Sequence, residues 1–191
     1  MLDQRFAVHV GKADLAAAYL DGICTIYDDV FSRPPFFWRD VESVLHRERL
    51  DQLLTDATFG ITAAFAGQVL VGFAYGFTLR ATTQRWSSLT EPLPEETTRE
   101  WPGRTFMLFD FAVLPEARGH GVGRTLHDKL LASRVEERAT LTVQPTAADT
   151  KSIYQHWGWR QVSQMEGGPT AAAPVFDVYL RDSLDDLRHT R

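Results

Sequence analysis

The sequence has a single cysteine and no apolar run long enough to cross a membrane. Cys24 has no second thiol with which to form a disulfide or a thiolate metal cluster, so neither is expected. The apolar runs stop short of the roughly 18 residues that a spanning helix needs, and charged residues follow Met1 closely. We therefore expect a soluble, cytoplasmic protein with no membrane contact and no metal site.

The sequence also lacks an excess of positive charge. Its 191 residues carry 20 Lys and Arg against 25 Asp and Glu, a formal net charge of -5. This balance argues against a surface that binds nucleic acid by neutralising phosphates, and it weakly favours a cationic small molecule. With 44% apolar and 24% charged residues, the composition is that of one globular domain built on one core.

Hydrophobic periodicity predicts strands and helices that alternate along this domain. Alternating apolar residues predict strands at residues 4–10, 59–65, 69–79, 105–114, 141–143, 159–165 and 175–180. Helical spacing predicts helices at residues 15–30, 41–56, 121–138 and 150–157. Residues 80–103 lack periodicity and predict a long irregular loop, and residues 183–191 predict a polar tail. The result is an α/β domain over residues 1–182.

One stretch combines a buried strand with a glycine-rich turn at the start of a helix. After Arg118, Gly119, Gly121 and Gly123 alternate, so that successive backbone N–H groups can converge on an anion at a helix N-terminus. The stretch lacks the Gly-Lys-Ser/Thr of a Walker A loop, and Arg124 stands where a dinucleotide fingerprint needs its third glycine. Its pattern, Arg-x-x-Gly-x-Gly, resembles the coenzyme A pyrophosphate loop of the GNAT N-acyltransferases.

A second segment downstream strengthens this resemblance. Residues 153–159, Ile-Tyr-Gln-His-Trp-Gly-Trp, are similar to the family's apolar-Tyr-x-x-apolar-Gly-aromatic segment on a short helix. The resemblance spans about residues 59–180 and implies the GNAT fold, a mixed sheet of about six or seven strands flanked by about four helices. Ala147 departs from the family, which often has an asparagine there, so the coenzyme A contacts near that turn are left open.

The resemblance implies how acetyl-coenzyme A, the expected co-substrate, would bind. The backbone of the strand end would pair with the pantetheine arm as an added strand. The backbone N–H groups of residues 119–124 would hold the pyrophosphate, with Arg118 and the Thr125 hydroxyl in support. The implied cofactor contacts are Phe111, Ala112, Val113, Arg118, Gly119, His120, Gly121, Val122, Gly123, Arg124, Thr125 and Tyr154.

Two residues are candidates for moving protons in catalysis. Asp110 is the only charge in the apolar strand at residues 105–114, where a carboxylate must be paired, hydrogen-bonded or shifted in pKa. It could take the proton of an amine acceptor, or it could belong to a structural ion pair. By resemblance, Tyr154 lies beside the coenzyme A sulfur and acts as general acid toward the leaving thiolate. A core aromatic is the alternative for Tyr154.

Aromatic residues outside the cofactor segments are expected to face the acceptor, namely Phe36, Trp38, Tyr75 and Trp86. Together with the glutamates of the loop at 80–103, they favour a cationic acceptor of aminoglycoside or polyamine type. The predicted activity is acetyl transfer from acetyl-coenzyme A to a primary amine of a small molecule. A protein or peptide N-acetyltransferase and a non-catalytic acyl-coenzyme A sensor are the alternatives. The oligomeric state is open, with a homodimer to be considered beside a monomer.

Overall fold

A computed structural model of the chain describes residue 3 and residues 5–189. Residue 4, the predicted start of the first strand, lies outside the described residues, as do the ends of the predicted domain and tail at residues 1, 2, 190 and 191. Within residues 5–189, no helix combines the length and the apolar composition that crossing a bilayer requires.

The strands form one mixed sheet in the order β1-β2-β3-β4-β5-β7-β6. They are β1 (Phe6–Gly11), β2 (Gly60–Ala66), β3 (Val69–Thr78), β4 (Thr105–Val113), β5 (Arg138–Val143), β6 (Arg160–Glu166) and β7 (Val175–Arg181). The pairing is antiparallel throughout, except between β4 and β5, which run parallel. The predicted mixed sheet is therefore confirmed.

Helices cover both faces of this sheet. They are α1 (Ala13–Ala18), α2 (Leu20–Phe31), α3 (Glu42–Leu53), α4 (Glu95–Thr98), α5 (Val122–Ala132), α6 (Ala148–His156) and α7 (Asp185–Arg188). The first predicted helix is divided in two, because Tyr19 leaves helical geometry and packs its ring edge-on against Phe65, with ring centroids 4.9 Å apart. One apolar cluster lies under α5, and a second lies under α2 and α3.

The helix α3 buries polar side chains as well as apolar ones. Of the apolar residues whose spacing predicts this helix, Val41 and Val44 are 56% and 61% exposed, whereas Leu53 and Leu54 are partly buried against the cluster under α2. The fully buried side chains are Glu42, His46 and Leu50. Glu42 reaches Tyr27 on α2 and His46 reaches Tyr75 on the sheet, and no local apolar pattern predicts these two contacts.

The small residues of β3 serve strand packing. A Cβ atom added at Gly76 would lie 2.0 Å from the backbone oxygen of Met107, and one added at Gly72 would lie 2.9 Å from that of Ala112. Both obstacles belong to the neighbouring strand β4. The close approach of the β3 and β4 backbones therefore accounts for the glycines at positions 72 and 76.

Two segments predicted as irregular are folded onto the domain. In the loop at 80–103, the Thr90 N–H donates to the Gln164 oxygen at 2.8 Å, which ties the loop to β6. In the predicted polar tail, Leu184 and Leu187 are buried, and Arg188 Nε donates to the Arg134 oxygen at 3.0 Å. Residues 133–137, which this contact covers, form the turn into β5 in place of the last part of the predicted helix 121–138.

Candidate active site

A cavity opens in the sheet where its two parallel strands diverge. The strands β4 and β5 pair only from Thr105 to Met107, opposite Arg138 to Thr140. Beyond this point they separate and leave a cavity of about 960 Å³. The glycine loop and α6 line one part of the cavity, and residues of α2, α3 and the connection between them line another.

The divergence leaves a backbone edge of β4 facing the cavity. The Leu114 N–H donates to the Val71 oxygen at 2.9 Å, and hydrogen-bonded pairs alternate along an antiparallel ladder. Phe111 and Val113 therefore turn their backbone N–H and C=O groups away from β3 and toward the opened side. An extended ligand could add here as a strand, the role that the sequence predicts for these two residues. Arg118 Nε donates to the Val113 oxygen at 3.0 Å, so such a ligand would compete with this contact.

The glycine loop has the backbone conformation that an anion cradle needs. Gly119 and Gly121 both have φ of 78°, in the left-handed region that favours glycine, and Gly121 caps the N-terminus of α5. No heavy atom beyond the chain neighbours lies within 4 Å of a Cβ added at Gly119, so the space in front of the loop is open. Arg118 and Arg124 line the cavity beside it. These features fit a phosphate or pyrophosphate group.

Three polar side chains of the loop and helix are engaged elsewhere. The His120 ring packs against Phe6, with ring centroids 5.6 Å apart, and the Thr125 hydroxyl donates to the Gly121 oxygen at 2.9 Å. Arg124 Nε donates to Asp128 at 2.5 Å. His120 and Thr125 are not among the cavity-lining residues. The Thr125 hydroxyl therefore supports the helix start, and direct help to a bound phosphate would require it to leave this partner.

Tyr154 lines the cavity from α6 inside an aromatic cluster. Its ring centroid lies 6.4 Å from that of Phe111, 6.0 Å from that of Trp157 and 5.9 Å from that of Trp159. Burial, and to a smaller extent the charge of Asp110, raises the pKa of the Tyr154 hydroxyl above its usual range. The hydroxyl is therefore protonated at neutral pH and can donate a hydrogen bond.

Asp110 lies on the opposite face of β4, next to a β-bulge. Asp110 pairs with Tyr75 while Leu108 pairs with Gly76, so Phe109 is the extra residue of the bulged strand. The Tyr75 hydroxyl donates to Asp110 Oδ2. Burial raises the pKa of Asp110 to about 6, although the hydrogen bond from Tyr75 opposes this shift. The carboxylate is thus a stronger base than an ordinary aspartate, yet it is ionised at neutral pH.

A buried polar network continues from Asp110 into α3. His46 Nε2 lies 3.1 Å from the Tyr75 hydroxyl and 3.6 Å from Asp110 Oδ2. Tyr27 stacks on the His46 ring, with centroids 3.6 Å apart, and its hydroxyl donates to Glu42 at 3.0 Å. Burial, with help from a nearby arginine, lowers the pKa of His46 to about 3, so the ring is neutral. The sequence pointed to Asp110 and Tyr75 separately, but nothing in it indicated that His46 joins them.

The aromatic residues predicted to face the acceptor are not brought together. Phe36 lines the cavity. Trp38 packs toward Tyr27, with ring centroids 6.2 Å apart, and Tyr75 is fully buried behind Asp110. The Trp86 indole donates to Glu100 at 3.1 Å, and neither tryptophan is among the lining residues. Of the four, only Phe36 is in a position to touch a ligand in this cavity without rearrangement.

A parallel strand pair that opens beside a glycine loop is the arrangement that the resemblance to coenzyme A-dependent acyltransferases implies. A family model agrees with this assignment. Residues 23–159, more than half of the chain, match the acetyltransferase (GNAT) family. The chain therefore belongs to the GNAT acetyltransferases, as the loop and the tyrosine segment predict. No curated protein matches the sequence.

Solved structures show the same fold over nearly the whole chain. An acetyltransferase from Thermus thermophilus has 17% identity and a TM-score of 0.60, covering 95% of this chain and 99% of its own. A GNAT acetyltransferase from Elizabethkingia anophelis with acetyl-coenzyme A bound has 11% identity and a TM-score of 0.58, covering 94% and 99%. A phosphinothricin acetyltransferase from Sinorhizobium meliloti, also with acetyl-coenzyme A, has 13% identity and a TM-score of 0.61, covering 94% and 89%. At these identities the likeness concerns the fold.

Proposed function

We propose that the protein transfers the acetyl group of acetyl-coenzyme A to a primary amine of a small molecule. One observation carries this proposal. A carboxylate, Asp110, and a protonated phenol, Tyr154, line the same cavity from opposite sides of the opened strand β4. Amine acylation needs one group that accepts a proton from nitrogen and another that stabilises a leaving sulfur. We expect this reaction to take place in the cytoplasm.

The donor would be held by the open edge of β4 and by the glycine loop. The backbone groups of Phe111 and Val113 would bind the extended arm, and residues 119–124 with Arg118 would bind the phosphates. When bound, the donor supplies a thioester whose carbonyl carbon accepts the amine. Val113 would exchange its contact with Arg118 for the ligand, which would release the guanidinium toward a phosphate.

Asp110 would act on the acceptor nitrogen. A protonated amine cannot attack, so the acceptor reacts as the neutral amine. Its nitrogen becomes positively charged and acidic as it bonds to the carbonyl carbon, and a base beside the acceptor takes this proton. With its pKa raised to about 6, Asp110 has a basicity closer to neutral pH than an ordinary aspartate. The proton would pass from nitrogen to Asp110 directly or through water.

Tyr154 would act on the leaving sulfur. Since a thiol has a reference pKa of about 8.5, a phenol with a raised pKa is the weaker acid, and complete proton transfer to the thiolate is unfavourable. Donation of a hydrogen bond from the hydroxyl to the sulfur is the role that fits this order of acidities. The proton that Asp110 removes from nitrogen is then available to complete the thiol.

The residues of the loop at 80–103 do not support a positive charge on the acceptor. The expected preference for a cationic, aminoglycoside-like or polyamine-like acceptor was based on Trp86 and on the acidic loop. Trp86 is engaged with Glu100, and the loop residues Glu91, Glu95 and Glu96 are not among those that line the cavity. We therefore base the proposal on a primary amine alone, with peptide α-amines as the alternative acceptors.

The experiment is a thiol-release assay with acetyl-coenzyme A over a panel of small amines, amino acids, aminoglycosides, polyamines and short peptides. The proposal predicts amine-dependent thiol release by the wild-type protein and slower release by Asp110→Asn. Binding of acetyl-coenzyme A without thiol release for any amine would support the sensor alternative instead. Turnover limited to peptides would support the peptide alternative.

A further inference from the structure

An arginine at the root of the cavity lacks a carboxylate partner. Arg85, in the helical turn Arg85–Ser88, lines the cavity, and its Nη2 lies 3.5 Å from the Thr140 hydroxyl. Its Nε is buried and has no hydrogen-bond partner among the described residues. Burial lowers the pKa of Arg85 to about 10, so the guanidinium remains charged at neutral pH. The guanidinium carbon lies 5.7 Å from the Trp86 ring centroid, and among the described residues no carboxylate forms an ion pair with Arg85.

The nearest candidate counter-ion already serves another arginine. Glu100 Oε1 accepts from Arg138 at 3.0 Å, from Trp86 at 3.1 Å and from the Thr105 hydroxyl at 2.9 Å. The negative charge of Glu100 opposes the lowering of the Arg85 pKa. Glu100 Oε2 is buried without a hydrogen-bond partner, and no ion pair joins it to Arg85 among the described residues, so two guanidinium groups face one carboxylate at the cavity wall.

The other arginines of the cavity have evident roles. Arg33 pairs with Asp29, and Arg49 pairs with Glu42. Among the residues that the structure describes, Arg118 is a second lining arginine without an ion pair, and it lies at the glycine loop, where phosphates are expected. Arg85 lies at the opposite end of the cleft. Its position therefore calls for an anion other than the cofactor's phosphates.

The order of groups along β4 indicates which molecule would carry this anion. Arg85 contacts Thr140, which pairs with Met107 at the last parallel rung. Asp110 follows three residues later, roughly 10 Å along the strand, and the glycine loop lies beyond it. An acceptor whose nitrogen is at Asp110 would extend its remaining atoms toward Arg85.

We propose that Arg85 is an acceptor-specificity residue and that the acceptor is a primary amine bearing a carboxylate. The proposal rests on the proposed acetyl transfer and adds the charge of its substrate. A guanidinium presents parallel N–H donors that match the two oxygens of a carboxylate, and Arg85 is among the residues that line the cavity. The inferred acceptor is therefore zwitterionic or anionic, in contrast to the cationic acceptor that the sequence favours.

The test compares each amino carboxylate with its own primary amide, which keeps the size and the amine but removes the negative charge. The series runs from glycine to aminohexanoate, so that chain length reports the span between the two groups. The wild-type protein should prefer the carboxylate at the best length by about 10- to 100-fold in kcat/KM, the range of a charged hydrogen-bonded contact. Equal use of carboxylate and amide at every length would overturn the proposal.

Variants then assign the preference to one residue. Arg85→Gln should abolish the preference by slowing the carboxylate and leaving the amide unchanged. Arg80→Gln, an exposed arginine at the start of the same loop, should keep it. Persistence of the preference in Arg85→Gln would overturn the role of Arg85, and the substrate comparison in the wild type holds even if this variant fails to fold.

Calorimetric binding of the same compounds in the presence of coenzyme A separates the two proposals. Carboxylate binding that is lost in Arg85→Gln, without thiol release from acetyl-coenzyme A, would support the site while contradicting the proposed acetyl transfer. Thiol release that ignores the carboxylate would support acetyl transfer while contradicting the site.

Discussion

The strand β4 contributes two kinds of chemical group to the cavity, one from its backbone and one from a side chain. Toward α5 and α6, the strand offers its backbone edge beside Phe111 and Val113, and the neighbouring loop offers the N–H groups of its glycines. Toward α3, it offers the Asp110 carboxylate, which is held by side chains from distant parts of the chain. Donor binding should therefore respond to changes in backbone geometry, while proton transfer should respond to changes in side-chain chemistry.

The largest expected effect comes from Tyr154, which lines the cavity beside Phe111 and whose pKa responds to the charge of Asp110. Tyr154→Phe keeps the ring packing against Phe111, Trp157 and Trp159 and removes only the hydroxyl. We expect turnover to fall about 10²-fold, with stability and acetyl-coenzyme A affinity unchanged. Steady-state kinetics and calorimetry measure the two quantities, and Tyr179→Phe is the control. Full turnover in a regime where chemistry limits the rate would remove Tyr154 from the mechanism.

The second effect is a gain of stability on replacing the buried carboxylate. The Asp110 pKa rises from 3.8 to about 6 on folding, so the native state binds a proton more tightly than the unfolded state. The stability that this provides is present below about pH 4 and is lost as the pH rises to about 6. Asp110→Asn avoids this loss and should be more stable than the wild type by about 2 to 3 kcal/mol at pH 7.

Urea unfolding at pH 4 and pH 7 measures this effect as a difference between the two proteins. The lowered pKa of His46 makes folding less favourable in acid and acts in the opposite direction. Because His46 Nε2 lies 3.6 Å from Asp110, the measured difference includes any change in the His46 pKa. A difference between wild type and variant that does not change between the two pH values would contradict the raised pKa of Asp110.

A third and smaller effect tests the cofactor face through its backbone. Gly119→Ala forces a side chain into the left-handed region, at a cost of about 1 to 2 kcal/mol. Gly67→Ala imposes a comparable strain, with φ of 62°, in the turn between β2 and β3. Both variants should lose similar stability, but only Gly119→Ala should weaken acetyl-coenzyme A binding, by about tenfold. Equal affinities in the two variants would mean that the loop does not hold the cofactor.

The smallest effect concerns the network behind Asp110. Tyr75→Phe removes a hydrogen bond that lowers the Asp110 pKa, so this pKa should rise. The acid limb of the kcat/KM profile should move to higher pH, and the rate at pH 6 should fall by less than about tenfold. A profile that stays in place would show that Tyr75 only fills the core. Tyr179→Phe again controls for loss of a tyrosine hydroxyl.

The same comparison explains which parts of the site could be predicted from the sequence. The glycine loop and the tyrosine segment are local patterns, because residues that act together lie within a few positions of one another. The network of Asp110 joins Tyr75 and His46, which lie 35 and 64 residues away from it in the chain. Nothing near His46 in the sequence distinguishes it from an exposed helix residue.

The loop at 80–103 shows a related limit. Its lack of periodicity predicts an irregular loop, and in the structure it contains the helical turn Arg85–Ser88 and the short helix α4. Its aromatic and acidic residues suggested contact with the acceptor. The residue that lines the cavity is Arg85, and its neighbour Trp86 packs inward against Glu100. An irregular backbone gives no period from which to predict which side chain faces a ligand, so only the tertiary structure separates the two.

Asp110 is proposed to take the proton from the amine nitrogen of the acceptor. The pH dependence of kcat/KM in wild type and Asp110→Asn tests this role most directly. With one amine acceptor that is turned over by both proteins, the wild type should show an acid limb with an apparent pKa near 6, the value of the Asp110 carboxyl. Asp110→Asn should be slower and should lack this limb. An unchanged limb and an unchanged rate in the folded variant would contradict the claim.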